Sequence, residues 1–271
     1  MVKIRRIKEG MTNDSHIIES EGKSFVIRLP GKGTEQLINR YQEQAVYEKI
    51  AHLKIADKVL FLDPENGYKI TKFLNNTRTC DKYDWEQVQQ CMDKLKILHH
   101  AKLKVDFTFD LGERTEFYAS LMGSSKYEDY ERTRTQIQTL QTYLTPREHI
   151  LCHIDANPDN CLFYGKKQAK LKLIDWEYAA MQDPLVDLAM WSIYAMYSRE
   201  DIDRLLVCYG VSTEGDKYRV YAYVAMCGLL WSNWCEYKEL LGVSFGDYAL
   251  AQYDYAKDYY QIFMDEWGKH V

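Results

Sequence analysis

Several things are scarce or missing in this sequence, and each absence removes a class of protein. The seven cysteines are odd in number and never spaced C-x-x-C, which speaks against both a disulfide framework and a zinc site. The longest nearly apolar run, Val220 to Trp231, falls well short of the ~20 residues that a membrane-spanning helix requires. The opening residues, Met1-Val-Lys-Ile-Arg-Arg-Ile-Lys-Glu9, carry charge where a signal peptide would carry an apolar core. Positive charge is not in excess: 35 Lys and Arg face 40 Asp and Glu, a net −5. No basic face is therefore expected for nucleic acid or an anionic membrane. Internal repeats and low-complexity tracts are absent, and so is a G-x-G-x-x-G phosphate loop. A reduced, cytoplasmic protein with no nucleic-acid or membrane partner is what remains.

What is present is an ordinary globular composition, 46% hydrophobic and 28% charged over 271 residues. That length suffices for one large domain or two lobes with a buried core. The chain is organised around His153-Ile-Asp-Ala-Asn-Pro-Asp-Asn160 and Leu173-Ile-Asp175-Trp-Glu-Tyr178. Between them lie Leu162-Phe-Tyr164, the polar stretch Gly165-Lys-Lys-Gln-Ala-Lys170 and Leu171-Lys-Leu173, which read as a β-hairpin. A hairpin brings its two ends together, so Asn160 and Asp175 are expected side by side, with Asp155 facing them. Phosphoryl transfer needs such a set: one carboxylate to orient and deprotonate a hydroxyl, and an amide with a second carboxylate to hold Mg²⁺ on nucleotide phosphates. The spacing from Asp155 to Asn160 is that of the kinase catalytic loop, and Asp175 falls where the Asp of D-F-G would, here in D-W-E. Singly, His153 is explained as a core histidine, Asn157-Pro158 as a turn and Asp175 as a strand-end residue bonding local amides. Jointly, in this order, the kinase-like reading prevails.

Residues 1–74 read as a small, strand-rich, nucleotide-covering lobe. Ile4 to Ile7, His16 to Ile18 and Ser24 to Leu29 have strand character, with turns at Glu9-Gly-Met-Thr-Asn-Asp14 and Glu21-Gly-Lys23. Alone, Gly10-Met-Thr-Asn13 is a β-turn; beside the rest, Thr12 and Asn13 are candidate donors to ATP phosphates. Phe25-Val-Ile-Arg28 stands where a kinase carries V-A-I-K, and Arg28 keeps the charge in a forked form. Thr34 is placed to cap an amphipathic helix begun by Gln36 and Leu37. Glu43 on that helix is the candidate ion-pair partner of Arg28, while Arg40, Glu48 and Lys49 read as a solvated face. Val59 to Leu62 and Tyr68 to Leu74 form another hairpin around Asp63-Pro-Glu-Asn-Gly67. Backbone near Lys72 and Phe73 is the expected adenine contact, with a hinge at Asn75-Asn-Thr77.

Residues 75–271 read as a mostly helical catalytic and acceptor-binding lobe. Trp85 to Leu98 has the helical repeat and ends in His99-His100, a pair that suits a helix C-terminus better than a metal. Leu111 to Leu144 supplies one or two further helices. Asp183-Pro184 starts another, and Asp187 in its first turns is placed to brace the catalytic loop by accepting backbone amides. The long helix Val220 to Leu241 puts Tyr223, Cys227, Trp231 and Trp234 on one face, which is usually a core face. Against that stands Trp231-Ser-Asn-Trp234, two indoles one turn apart. With Tyr178 and Tyr248 they can wall a cage for a desolvated cation, at about 2 kcal/mol or more per good contact. Glu177 adds a carboxylate near the cation or the metal.

Together, Cys152-His-Ile-Asp-Ala-Asn-Pro-Asp-Asn160, Leu173-Ile-Asp-Trp-Glu-Tyr-Ala179, Gly10-Met-Thr-Asn13, Pro30-Gly-Lys-Gly-Thr-Glu-Gln-Leu-Ile-Asn-Arg40 and Trp231-Ser-Asn-Trp234 resemble the bacterial choline kinases of the LicA type. Those belong to the choline/ethanolamine kinase and aminoglycoside phosphotransferase group, and the resemblance runs over nearly the whole chain. It implies an α+β, two-lobed protein-kinase-like fold with a small antiparallel β-rich N-lobe and a larger, mostly helical C-lobe. It also implies transfer of the ATP γ-phosphoryl group to the choline hydroxyl. By position, Asp155 becomes the base, Asn160 and Asp175 the Mg²⁺ ligands and Arg28 the phosphate contact. Tyr178, Trp231, Trp234 and Tyr248 become the ammonium cage. One departure is Tyr194, which stands where eukaryotic relatives are expected to have a carboxylate. The rival acceptors are ethanolamine, thiamine and aminoglycosides. Ethanolamine's N–H donors and the aminoglycosides' multiple charges call for carboxylates rather than an aromatic wall. A catalytically inactive kinase-like choline binder is the remaining alternative, and the presence of all three chemical residues speaks against it.

Overall fold

The computed structural model describes residues 3–9, 13–31 and 33–269. In chain order its elements begin with β1 (Lys3–Glu9), β2 (Asn13–Ser20), β3 (Lys23–Pro30), α1 (Arg40–Ile50), β4 (Val59–Leu62), β5 (Lys69–Lys72), β6 (Arg78–Thr79) and α2 (Trp85–His100). They continue through α3 (Leu111–Met122), α4 (Tyr130–Tyr143), β7 (Ile150–Cys152), β8 (Cys161–Tyr164), β9 (Lys170–Leu173) and β10 (Ala180–Gln182). The chain closes with α5 (Leu185–Tyr194), α6 (Arg199–Tyr209), α7 (Glu214–Leu240) and α8 (Asp247–Glu266). By contact, Met1–Phe107 with Pro158–Ala180 form one compact unit, and Thr108–Asn157 with Met181–Val271 form a second. This grouping follows packing rather than role: α2 and the β8–β9 hairpin fall with the strands of the first unit, whereas the division at 74/75 assigns them to the catalytic lobe.

The first unit carries a five-stranded antiparallel sheet in the order β1-β2-β3-β5-β4. Glu21 (φ 52°) and Gly22 (φ 72°) turn β2 into β3 with the two left-handed residues that a tight hairpin uses. The helix that follows begins later than the sequence predicts. Thr34 opens a single 3₁₀ turn and its hydroxyl donates to the Gly31 carbonyl (2.7 Å). The cap is Asn39, whose side chain accepts from the Tyr41 and Gln42 amides at 3.1 and 3.3 Å. Leu37 and Ile38, both buried, draw the intervening turn into the core, and Asn is the better N-cap. Glu43 therefore sits in the first turn of α1, where a negative charge meets the helix dipole favourably. The β8–β9 hairpin is as expected, with Cys161 opposite Leu173.

The second unit is built on α7. Every residue from Arg219 to Lys238 is buried, so this helix is packed all round rather than on one stripe. At Gly228 a Cβ would stand 2.6 Å from the Gln252 carbonyl oxygen on α8; only glycine permits that approach. The short strands β7 and β10 pair with each other. Among the described residues no helix is long and apolar enough to cross a membrane.

Candidate active site

The loop after β7 is fixed by one carboxylate. Asp187, fully buried on the first turn of α5, accepts the backbone N–H of His153 (2.9 Å) and of Ile154 (2.7 Å). Ile154 has φ 66°, a costly conformation for a β-branched residue, so the two charge-assisted bonds compensate local strain. Next in the chain, Asp155 keeps 9% exposure. The Asn157 side-chain amide donates to its carbonyl (3.1 Å) and its carboxylate Oδ1 (3.0 Å), which orients the carboxylate. Asn157 is more than the turn residue read from the sequence.

In the first unit the hairpin joins Asn160 to the strand that leads into Asp175: the Ile174 amide donates to the Asn160 carbonyl at 2.9 Å. Asp175 has φ 65°, and Trp176 fixes the turn by burying its ring and donating Nε1 to the Leu173 carbonyl (3.0 Å). The Asp175 side chain is 29% exposed, so a carboxylate oxygen remains reachable. An amide oxygen and a carboxylate are hard donors of the kind Mg²⁺ takes.

Around Asp175 lies a buried ion network. Arg28 donates to both oxygens of Glu43 (2.6 Å each) and to Asp175 (2.8 Å), with Glu177 at 3.2 Å. Arg40 reaches Glu43 (2.9 Å), Glu177 (2.7 Å) and the Asn13 side-chain oxygen (3.1 Å), and the Asn13 amide donates to Glu177 (2.9 Å). Lys69 completes it at 3.0 Å from Glu43. Burial pushes the Glu43 carboxyl up, but the charges of Lys69 and Arg28 outweigh that and hold it well below the usual range. Burial together with the Asp175 charge raises Glu177 despite Arg28 and Arg40. The Arg28–Glu43 pair is the one the sequence predicts. Arg40 is the correction: it is buried in the network, not on a solvated face. Glu177 is engaged by arginines and Asn13 rather than left open for a substrate cation. Thr12 lies outside the described residues. The Lys72 backbone N–H donates to the Lys58 carbonyl (2.9 Å), and Phe73 is half-buried.

The second unit holds a closed ring of five aromatic side chains. Successive centroid distances are Tyr194–Trp231 5.5 Å, Trp231–Trp234 5.2 Å, Trp234–Phe245 5.2 Å, Phe245–Tyr248 6.5 Å and Tyr248–Tyr194 6.4 Å. Trp231 Nε1 points to Met190 Sδ (2.9 Å), and the buried Lys238 ammonium lies 5.8 Å from the Trp234 ring. Tyr248 Oη and Trp234 Nε1 are buried with no hydrogen-bond partner among the described residues. Burial raises the Tyr248 phenol well above its usual value, reinforced by the charge of Asp155; the ring is thus within electrostatic reach of Asp155. Trp231, Trp234 and Tyr248 were expected here. Tyr194 and Phe245 complete the ring, and Tyr178, also buried, belongs to the first unit.

A family model described as choline/ethanolamine kinase matches residues 4–203 of this chain. The chain belongs to that family. It is 30% identical over 264 residues to the LicA protein of Haemophilus influenzae, covering 91% of this chain and 97% of the relative. The crystal structure of the choline kinase LicA from Streptococcus pneumoniae superposes with a TM-score of 0.85 at 27% identity, covering 96% of this chain and 93% of that one. A LicA structure in complex with AMP gives a TM-score of 0.83 at 27% identity, with the same coverage of both chains. The kinase has the α+β, two-lobed kinase-like fold and is an ATP-dependent phosphotransferase with an alcohol group as acceptor.

Proposed function

We propose that this kinase transfers the γ-phosphoryl group of ATP to the hydroxyl of choline, giving phosphocholine and ADP. The observation that carries the choice of acceptor is the five-membered aromatic ring, with Tyr248 in electrostatic reach of Asp155. A quaternary ammonium has no N–H to satisfy and gains from indole and phenol faces. Ethanolamine has three N–H donors and would leave them unpaired against the same wall. Tyr194 adds a further aromatic face to that wall.

Asp155 is the proposed base, taking the choline hydroxyl proton while Asn157 and Asp187 keep its carboxylate and backbone in place. Asn160 and Asp175 would hold Mg²⁺, which when bound offsets charge on the nucleotide phosphates. Asn13, Thr12 and Arg28 are the proposed phosphate contacts, with Glu43 holding Arg28. Because the Lys72 N–H is engaged by Lys58, adenine would read backbone from Phe73 onward. On this reading residues 1–74 cover the nucleotide and 75–271 carry catalysis and the acceptor. ATP use and seven free cysteines fit the cytoplasm.

The test is a coupled ADP-release assay with choline, ethanolamine, thiamine and an aminoglycoside. Choline is expected to exceed each of the others in kcat/KM by about tenfold or more, the equivalent of ~1.4 kcal/mol. Equal or greater kcat/KM for ethanolamine would overturn the acceptor assignment.

A further inference from the structure

Lys69 has no role in the reading above, yet its ammonium is enclosed. The residue is 4% exposed. Its Nζ donates to Glu43 Oε1 (3.0 Å) and to Tyr47 Oη (2.9 Å), and lies 4.7 Å from the Tyr47 ring centroid. Tyr47 Oη in turn donates to Asp57 Oδ1 (3.0 Å). In the β3–β5 ladder Lys69 stands directly opposite Arg28. Like charges facing each other across an antiparallel pair weaken the sheet, and withdrawing an ammonium from water is costly. An apolar residue would complete the strand without either penalty, so packing alone does not account for a lysine here.

Counting charges does. Arg28, Arg40 and Lys69 face Glu43, Asp175 and Glu177, three against three. Arg28 touches all three carboxylates. On the proposed reading, Arg28 would turn to a phosphate when the nucleotide binds, and Asp175 would hold Mg²⁺. Arg40 and Lys69 then balance Glu43 and Glu177, two against two. Without Lys69, both carboxylates depend on Arg40, and Arg28 cannot turn away without leaving a buried charge uncompensated. We propose that Lys69 is a positioning residue of the nucleotide site: it shares the Glu43 carboxylate with Arg28, so that Arg28 is free to engage a phosphate. Tyr47, held by Asp57, fixes the lysine in turn.

This inference rests on Arg28 being the phosphate contact, and its test reads nucleotide binding apart from the acceptor. ATP binding by calorimetry and steady-state kinetics are measured on the full chain carrying Lys69→Met, Lys69→Arg, Tyr47→Phe or Arg28→Met. Lys69→Met is expected to weaken ATP binding and raise the KM for ATP by about tenfold, while the acceptor KM stays within about twofold. Lys69→Arg, which restores the charge, is expected to recover ATP affinity to within about threefold. Tyr47→Phe should show a smaller loss in the same direction. Unchanged ATP affinity in a folded Lys69→Met protein, or equal rises in both KM values, overturns the proposal. Should Lys69→Met not fold, unchanged ATP affinity in Tyr47→Phe overturns it instead. Unchanged affinity in Arg28→Met overturns it together with its premise. A wild-type protein that binds ATP but fails to phosphorylate choline refutes only the acceptor assignment, and the ATP comparison still decides Lys69.

Discussion

Asp187 bonds the amide of Ile154 at 2.7 Å, and Ile154 is the residue whose left-handed backbone immediately precedes Asp155. The carboxylate that supports the proposed base thus works through the main chain, bonding an amide 33 residues earlier in sequence. Asp187→Asn puts an N–H donor where an acceptor is needed, facing one of the two amides. We expect unfolding free energy to drop by about 3 kcal/mol and kcat by about a hundredfold, measured by denaturant titration and turnover. A folded variant with full kcat would remove Asp187 from the catalytic loop's support.

Asp155→Asn keeps the size and the contact with Asn157 but cannot take a proton. Turnover should fall by about 10²- to 10⁴-fold, the usual worth of a general base, while ATP affinity changes little. Undiminished turnover would show that another group accepts the proton.

Glu43 gives a pH-dependent stability. Its carboxyl is held below the ordinary value of 4.5, burial being outweighed by Lys69 and Arg28. A depressed carboxyl contributes its stability in full above the unfolded value and loses it as pH falls through the folded one. Glu43→Gln should therefore cost about 3 kcal/mol near neutral pH, because it strands buried cations. The cost should shrink as pH falls below 4.5. Denaturant midpoints of both proteins across that range check it; a constant difference would contradict the network's charge balance.

Trp231 meets both Tyr194 and Trp234, whereas Trp234 already faces the Lys238 ammonium. Trp231→Ala should raise the choline KM by about thirtyfold, the equivalent of ~2 kcal/mol of cation–π contact. The uncharged tert-butyl analogue of choline, which lacks the charge but has the shape, should lose less. Equal losses for the two compounds would make the ring a shape filter rather than a cation site.

Some of this was legible because it is local. The β8–β9 hairpin follows from alternating apolar residues and a Gly-Lys turn, and such a turn must bring Asn160 to the residues around Asp175. Arg28 and Glu43 stand on consecutive elements joined by a short loop, so their meeting could be read from the order of strand and helix. Asp187 was legible as a brace because an acidic residue in a buried first helical turn needs amides to bond. The Thr34 cap was misplaced by local chemistry that fitted equally well; burial of Leu37 and Ile38 decided in favour of Asn39.

The sequence by itself determined which groups the protein owns and which lie near one another along a strand, a turn or a helix. That covers the proposed base, the two proposed oxygen donors to Mg²⁺, the arginine and the paired indoles. Only the tertiary structure decided that Arg40 and Glu177, 137 residues apart, meet in one buried network with Lys69. It alone brought Tyr194 of α5 into the ring built on α7. The physical reason is the range of the forces. Backbone geometry fixes neighbours over a few residues, whereas the partner of a buried charge or a ring face is chosen by which surfaces must leave water together.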